Sequence, residues 1–288
     1  MHPLTTAAAL LLDRWSPGLD APRAAPWASR YLALMREQFG ALEPWGALVP
    51  VLFLIAVPLA LATFLLYAAH ALGALLGAAL GLLLMLVAFG PQGGLREIEA
   101  YPDALEQDDD AAATTAATAV IGARPLPVPV ERSRAFARAV PQAVLQSSFG
   151  VATWALIAGP IGALLWRTAE QLERALRAGP PAQHAEARRV LGVLAWLPTR
   201  ALALTLAAMG RGEEAFAEWR AFRAPEAAEL RDADAELLAR VAHAALKVDP
   251  DEEDGGLHLA WCAVALAERA WLAWVAALVV LGLIGVVA

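Results

Sequence analysis

The sequence is short of several groups that protein chemistry commonly uses. It has one cysteine, Cys262, in 288 residues. That excludes an internal disulfide and every metal centre built from clustered cysteines. It has one lysine, Lys247, with no glycine immediately before it, so no G-x-x-x-x-G-K-[ST] phosphate loop is present. The formal net charge of −7 argues against nucleic acid as a partner, because phosphate binding needs a basic surface. The five histidines (His2, His70, His184, His243 and His258) have no H-x-x-x-H or H-E-x-x-H spacing, so a zinc helix is unsupported. Ser147 and Ser148 beside Gly150 do not form a G-x-S-x-G elbow. No catalytic residue and no metal ligand is therefore assigned, and the cofactor is left open.

Charge itself is scarce. Charged residues make up 18% of the chain and hydrophobic ones 59%, where a soluble domain carries about 25% and about 45–50%. The apolar excess is concentrated: from Gly46 to Phe89 there is no Asp, Glu, Lys or Arg. A bilayer core needs about 20 apolar residues in a helix, so this stretch holds two spans, about 47–69 and 71–89. The first contains Pro50 and Pro58. The second carries Gly73, Gly77 and Gly81 at intervals of four, a smooth helix-packing face through which an oligomer could form. A third span is expected at about 144–166, kinked by Gly150, Gly159, Pro160 and Gly162, and a last one at about 270–288. Trp45, Trp166, Trp271 and Trp274 lie near the ends of these runs, where indoles favour the interface. The fold class is all-α: a polytopic membrane helical bundle with four firm spans, one re-entrant or fifth segment and a helical polar region. The lipid bilayer is the first partner.

Residues 190–209 are the ambiguous segment. They read VLGVLAWLPTRALALTLAAM, with Pro198 and Arg200 at the centre. An arginine there costs about 3 kcal/mol on insertion scales, so it should face protein or water. A re-entrant or bundle-buried hairpin is the preferred reading, and a full crossing the next. Arg200 should meet a carboxylate, with Glu213 or Glu214 nearest in sequence and Glu97 or Glu99 available from the earlier loop.

The chain then divides as follows. Residues 1–45 form an N-terminal amphipathic segment and 46–89 a two-span hairpin. Residues 90–142 form an acidic, solvated cytoplasmic loop. Residues 143–210 hold the third span and the Pro/Arg segment, 211–268 a soluble helical region, and 269–288 the C-terminal span. Met1-His2-Pro3 lacks the basic start of a secretory signal. The link between the first two spans has no Lys or Arg and is expected outside, with the arginine-bearing flanks inside. Arginines after the third span conflict with simple alternation. A third segment that folds back, or a crossing at 190–209, resolves the conflict.

Three stretches carry a family resemblance. They are Leu10 to Trp15, Gly159-Pro160-Ile161-Gly162 through Arg167, and Trp196-Leu197-Pro198-Thr199-Arg200 followed by Gly210, Gly212 and Glu213. In these the chain resembles the AmpE family, inner-membrane partners of the AmpD amidase in β-lactamase induction. It is more distantly similar to the CobD/CbiB membrane enzymes of cobalamin biosynthesis. The resemblance implies a multi-pass protein of the bacterial inner membrane, working with another inner-membrane or cytoplasmic signalling protein. It makes Trp196, Pro198, Arg200, Gly210, Gly212 and Glu213 the family-motif residues. The CobD/CbiB pattern has E-N-x-x-D-G before the third span and N-T-x-D-S after it. Here those places read Gln146-Ser147-Ser148-Phe149-Gly150 and Arg167-Thr168-Ala169-Glu170-Gln171. Most of the polar residues that would hold Mg²⁺ and phosphates are missing, so the amide-forming activity does not transfer. A small transporter subunit is the third alternative.

Overall fold

The structure, a computed structural model, describes residues 2–15, 30–35, 47–89, 94–122, 127–223, 229–246, 248, 254 and 256–287. Trp45 and most of the N-terminal amphipathic segment lie outside these residues, as do the side chains of Asp13, Arg14 and Glu97. Among the described residues every regular element is a helix. In chain order these are α1 (His2–Trp15), α2 (Leu48–Leu72), α3 (Ala74–Phe89), α4 (Gly94–Glu106), α5 (Asp110–Ile121) and α6 (Pro129–Val144). A single π-helical turn (Leu145–Phe149) leads into α7 (Gly150–Leu176). Then follow α8 (Pro181–Met209), α9 (Gly212–Ala221), α10 (Leu230–Leu246) and α11 (Leu257–Val287).

Four helical stretches are long and apolar enough to cross a membrane: Leu48–Leu72, Pro129–Leu176, Pro181–Met209 and Leu257–Ile284. α3 is apolar but shorter. Large apolar side chains point outward from α2, α3 and α11, among them Leu61, Phe64, Leu75, Leu272 and Ile284. Water would not tolerate so continuous an apolar surface, whereas lipid does. The protein is an all-α, multi-pass membrane bundle.

The glycines of α3 are used inside the chain. α2 and α3 form a hairpin, and the imidazole of His70 lies where a Cβ on Gly77 would be, 2.4 Å from its Nδ1. Gly81 faces Pro160 of α7 at 3.4 Å. Gly73 breaks α2 from α3 and meets nothing within 4 Å. The stripe expected as one packing face is thus filled within the monomer at two positions. Only Gly73 is left open.

α7 is not one rod. Gly150 and Trp166 are sixteen residues apart, about 24 Å along a straight helix, yet a Cβ on Gly150 would meet the Trp166 ring at 2.1 Å. A Cβ on Gly162 would sit 2.0 Å from the carbonyl oxygen of Trp154. The chain therefore runs inward through 150–157, reverses, and returns antiparallel through 160–176. The reversal uses Ala158 (φ −127, ψ 18) and Gly159 (φ 61, ψ −148), a backbone region open in practice only to glycine. Its tip rests on Gly81, near the middle of α3, while its returning arm comes level with Phe89 at Arg167 and continues to Leu176. This is a helical hairpin that goes partway in and comes back. The length and composition of Pro129–Leu176 suffice for a span, but the backbone does not cross in one piece. Sequence placed a kink at these residues; the structure makes the kink a full reversal.

The fold-back expected at 190–209 is not there. α8 is continuous through Pro198 and Arg200: Trp154 Nε1 of α7 donates to the Leu194 carbonyl that Pro198 leaves without a donor (3.1 Å), and Asp234 of α10 pairs Arg200. Nor is 90–142 a solvated loop. Asp109 accepts from Ala112 N (2.9 Å) and caps α5, which Gly122 ends in a left-handed turn (φ 73). Buried Arg132 of α6 donates to Asp110 and to Thr114 Oγ1, and Tyr101 pairs with Ser133 at 2.8 Å. Ala7, Ala9 and Leu10 of α1 are buried with the core cluster. α11 begins at Leu257, some thirteen residues before the expected span.

Gly162→Leu should collapse the hairpin, because a backbone carbonyl cannot yield as a side chain can. The expected loss is about 3 kcal/mol or more, against a change within about 0.5 kcal/mol for Gly73→Ala. Thermal unfolding of both variants in detergent checks this, and equal losses would contradict the reversal.

Candidate functional site

The polar end of the α7 hairpin is organised by one buried guanidinium. Arg167 is 3% exposed. Its Nη2 donates to the carbonyls of Phe89 (2.6 Å) and Ser147 (3.1 Å), its Nε to the carbonyl of Ala88, and its Nη1 to Glu170 Oε2 (2.6 Å). The last carbonyls of a helix have no partner within it. Arg167 supplies that partner to α3 and ties the same point to the π turn. One residue earlier, Trp166 Nε1 donates to Gln146 O (3.4 Å).

Two carboxylates continue this network outward. Glu170, 1% exposed, bridges Arg167 and Arg174, each at 2.6 Å. Glu173, 2% exposed, meets Arg177 (3.2 Å), Arg231 of α10 (3.2 Å) and His184 of α8 (3.1 Å). Beside them opens a cavity of about 510 Å³. Its walls are the last turn of α5, Gln142 and Ala143 of α6, Gln146 and Ser147 of the π turn, and Arg174 and Arg177 of α7. Single-turn π segments occur disproportionately at functional sites, and this one forms the cavity's inner wall. The arrangement presents two cationic donors and two amides to a polar space. No group of three or more metal-ligating side chains occurs among the described residues.

The family-motif residues lie elsewhere and form two separate places. Arg200 donates to Asp234 Oδ1 of α10 (2.8 Å) and to Trp196 O (2.9 Å), and its guanidinium stacks on the Trp196 ring 4.4 Å from the centroid. Pro198 is buried beside it. Gly210 sits a helical segment further on, where a Cβ would meet Ala245 at 2.7 Å; Arg211 N donates to Ala245 O there. Gly212 and Glu213 open α9, with Glu213 exposed. Gly210 thus serves close approach of α10, and the carboxylate on Arg200 is none of the four expected. Asp234 holds that place because α8 and α10 run side by side, a pairing with no signal in the sequence. The charges of the cavity network did carry one: Arg167, Glu170 and Arg174, and Glu173 and Arg177, recur at three and four residues, the spacing of one helical face.

Burial raises the Asp234 carboxyl above its ordinary value even with Arg200 drawing it down, and its Oδ2 has no hydrogen-bond partner. Because the folded-state value lies above the unfolded one, ionising Asp234 costs stability, and the cost grows as pH rises through the folded value. Arg200→Ala should therefore destabilise by about 3 kcal/mol, more at pH 8 than at pH 5. A melting-temperature deficit that shrinks as pH rises would contradict this pairing.

Compared with known proteins, the sequence matches the family described as regulatory signalling modulator protein AmpE over residues 35–288. No curated protein and no solved structure matches it. The matched segment holds the α7 hairpin, the arginine-lined cavity and the whole Trp196–Glu213 motif, and on that match the chain belongs to the AmpE family of regulatory signalling modulators.

Proposed function

We propose that this chain is a non-catalytic accessory or sensor of the bacterial inner membrane, linking the state of the envelope to a cytoplasmic response such as β-lactamase induction. The family match across residues 35–288 carries the reading. The chemistry of the cavity supports it. Arg174 and Arg177 are held in place by Glu170 and Glu173, and those carboxylates are engaged with cations. Groups committed in this way recognise a ligand; they do not supply the free acid–base pair that general catalysis uses. A partner in the inner membrane or cytoplasm would read the occupied state.

A second reading is an amide-forming enzyme of the CobD/CbiB type, and one observation keeps it open to test. The π turn that walls the cavity, Leu145–Phe149, coincides with the place where the likeness puts that family's acidic stretch. Against it, Gln146, Ser147 and Ser148 stand there without a carboxylate.

A deletion strain complemented with the wild-type chain decides between them. Inducible β-lactamase activity should change on deletion and return with the wild type, while cobamide-dependent growth stays unaffected. Arg200→Ala should restore induction only in part, in step with the protein's reduced level in the membrane. Unchanged induction on deletion would sink the signalling reading, and lost cobamide-dependent growth would install the enzymatic one.

A further inference from the structure

The charges around the cavity do not balance. Four guanidinium groups, Arg167, Arg174, Arg177 and Arg231, meet two buried carboxylates, Glu170 and Glu173. Arg188, the next cation along α8, is already engaged by Glu229 and Asp232, so those acids are not available to the cluster. His184, the remaining titratable group on Glu173, adds no negative charge in either protonation state. Among the described residues two more positive than negative charges thus border the cavity, and Arg174 and Arg177 stand at its solvent-reached edge, their side chains 36% and 58% exposed. Arg167 spends its donors on carbonyls and Glu170. Arg174 donates to Glu170 and Gln146 and Arg177 to Glu173, and both also line the open space, with Gln142 and Ser147 beside them.

We propose that this cavity binds an oxyanion, a phosphate or carboxylate, carried on a small polar molecule or on a lipid headgroup. The cavity's volume, about 510 Å³, falls within the range of about 300–1,000 Å³ typical of small-molecule sites. Planar guanidinium groups suit oxyanions because their N–H donors match paired oxygens. The Gln142 amide donates and accepts, while the Gln146 oxygen already accepts from Arg174 Nη2 at 3.4 Å, so the guanidinium groups meet the anionic group and Gln142 meets a hydroxyl or amide beside it. Glu170 and Glu173 orient the two arginines through i,i+4 pairs and keep them from collapsing into the cavity. The inference concerns binding alone and stands whether or not the signalling reading holds.

The test uses the full chain, purified in detergent at constant ionic strength and read by thermal unfolding. Inorganic pyrophosphate and citrate are the soluble probes. Nanodiscs of phosphatidylglycerol or of phosphatidylcholine alone are the lipid probes. Saturable stabilisation by a soluble probe identifies a free solute; stabilisation confined to phosphatidylglycerol identifies a headgroup. Either supports the proposal if Arg174→Gln with Arg177→Gln weakens the apparent affinity about tenfold or more. Ala143→Phe projects a ring from the cavity wall into the ligand's space while keeping every charge, and should abolish the shift without lowering the ligand-free melting temperature. It decides the matter if the arginine variant fails to fold. No shift with any probe, or a shift undiminished in Ala143→Phe, overturns the proposal. Loss of β-lactamase induction is scored separately, so the two readings fail independently.

Discussion

The structure depends on how a chain reverses direction where water cannot satisfy its backbone. At Ala158 and Gly159 the helical hydrogen-bond ladder of α7 is broken, and α3 ends beside the returning arm with its own last carbonyls open. Such groups, left unpaired in a low-dielectric interior, each cost on the order of 1–3 kcal/mol. At the first break Gly159 is buried while Ile157 and Ala158 face outward, and Arg167 answers the second by donating to Ala88, Phe89 and Ser147 at once. A lysine could not do the same, since a point-like ammonium has no fork of donors to spread across three carbonyls on two elements. Burying that guanidinium then requires an anion, which Glu170 provides at 2.6 Å. Once Glu170 is buried, Arg174 follows one turn later, and the cationic rim of the cavity follows from Arg174.

The same logic operates at Arg200, with a different outcome. There the guanidinium is shared among an indole face, a backbone carbonyl of its own helix and one carboxylate oxygen. The pair is local, and it fastens α10 along α8. An arginine in an apolar run invites a functional reading, but geometry gives this one the work of holding two helices in register. Gly210 does the complementary work at the other end of the pair, letting Ala245 approach where a side chain would intrude. The motif that most clearly marks the family is therefore a clasp between α8 and α10.

Sequence reveals those parts of the fold that depend on composition and local spacing. The charge-free run from Gly46 to Phe89 fixes α2 and α3 because no other solvent accepts it. Gly159 and Pro160 mark the break in α7 because their backbone preferences are local. Read one window at a time, the same sequence misplaces the fold-back. Pro198 and Arg200 look more disruptive than Gly159, yet proline inside a helix costs only what its neighbours fail to compensate. At Pro198 Trp154 of α7 compensates, donating to the Leu194 carbonyl that the proline leaves without a donor. At Gly159 a glycine-only backbone angle commits the chain to turn. The acidic run before α5 misleads in the opposite sense, since Asp109 and Asp110 serve a helix cap and a buried arginine rather than solvent. Asp234 was beyond reach, because its partner lies 34 residues away on another helix.

The position of the cavity follows from the reversal. A helix that crossed in one direction would carry Gln146 and Arg174 to opposite ends, 28 residues and about 42 Å apart. Folded back at Gly159, the same helix brings Arg174 Nη2 to 3.4 Å from Gln146 Oε1. Entry and exit of the hairpin thus form one mouth, lined by the π turn on the inward arm and by arginines on the outward arm. One guanidinium ties both arms to α3: Arg167 on the outward arm donates to Phe89 O of α3 and to Ser147 O at the start of the inward arm. Any group that draws Arg174 or Arg177 into the cavity must pull against Glu170 and Glu173, and through Glu170 against the Arg167 contacts at the end of α3. Glu173 carries the same strain to Arg231 on α10 and His184 on α8. Charge entering the mouth is in this way coupled mechanically to the membrane hairpin on one side and to the polar helices on the other.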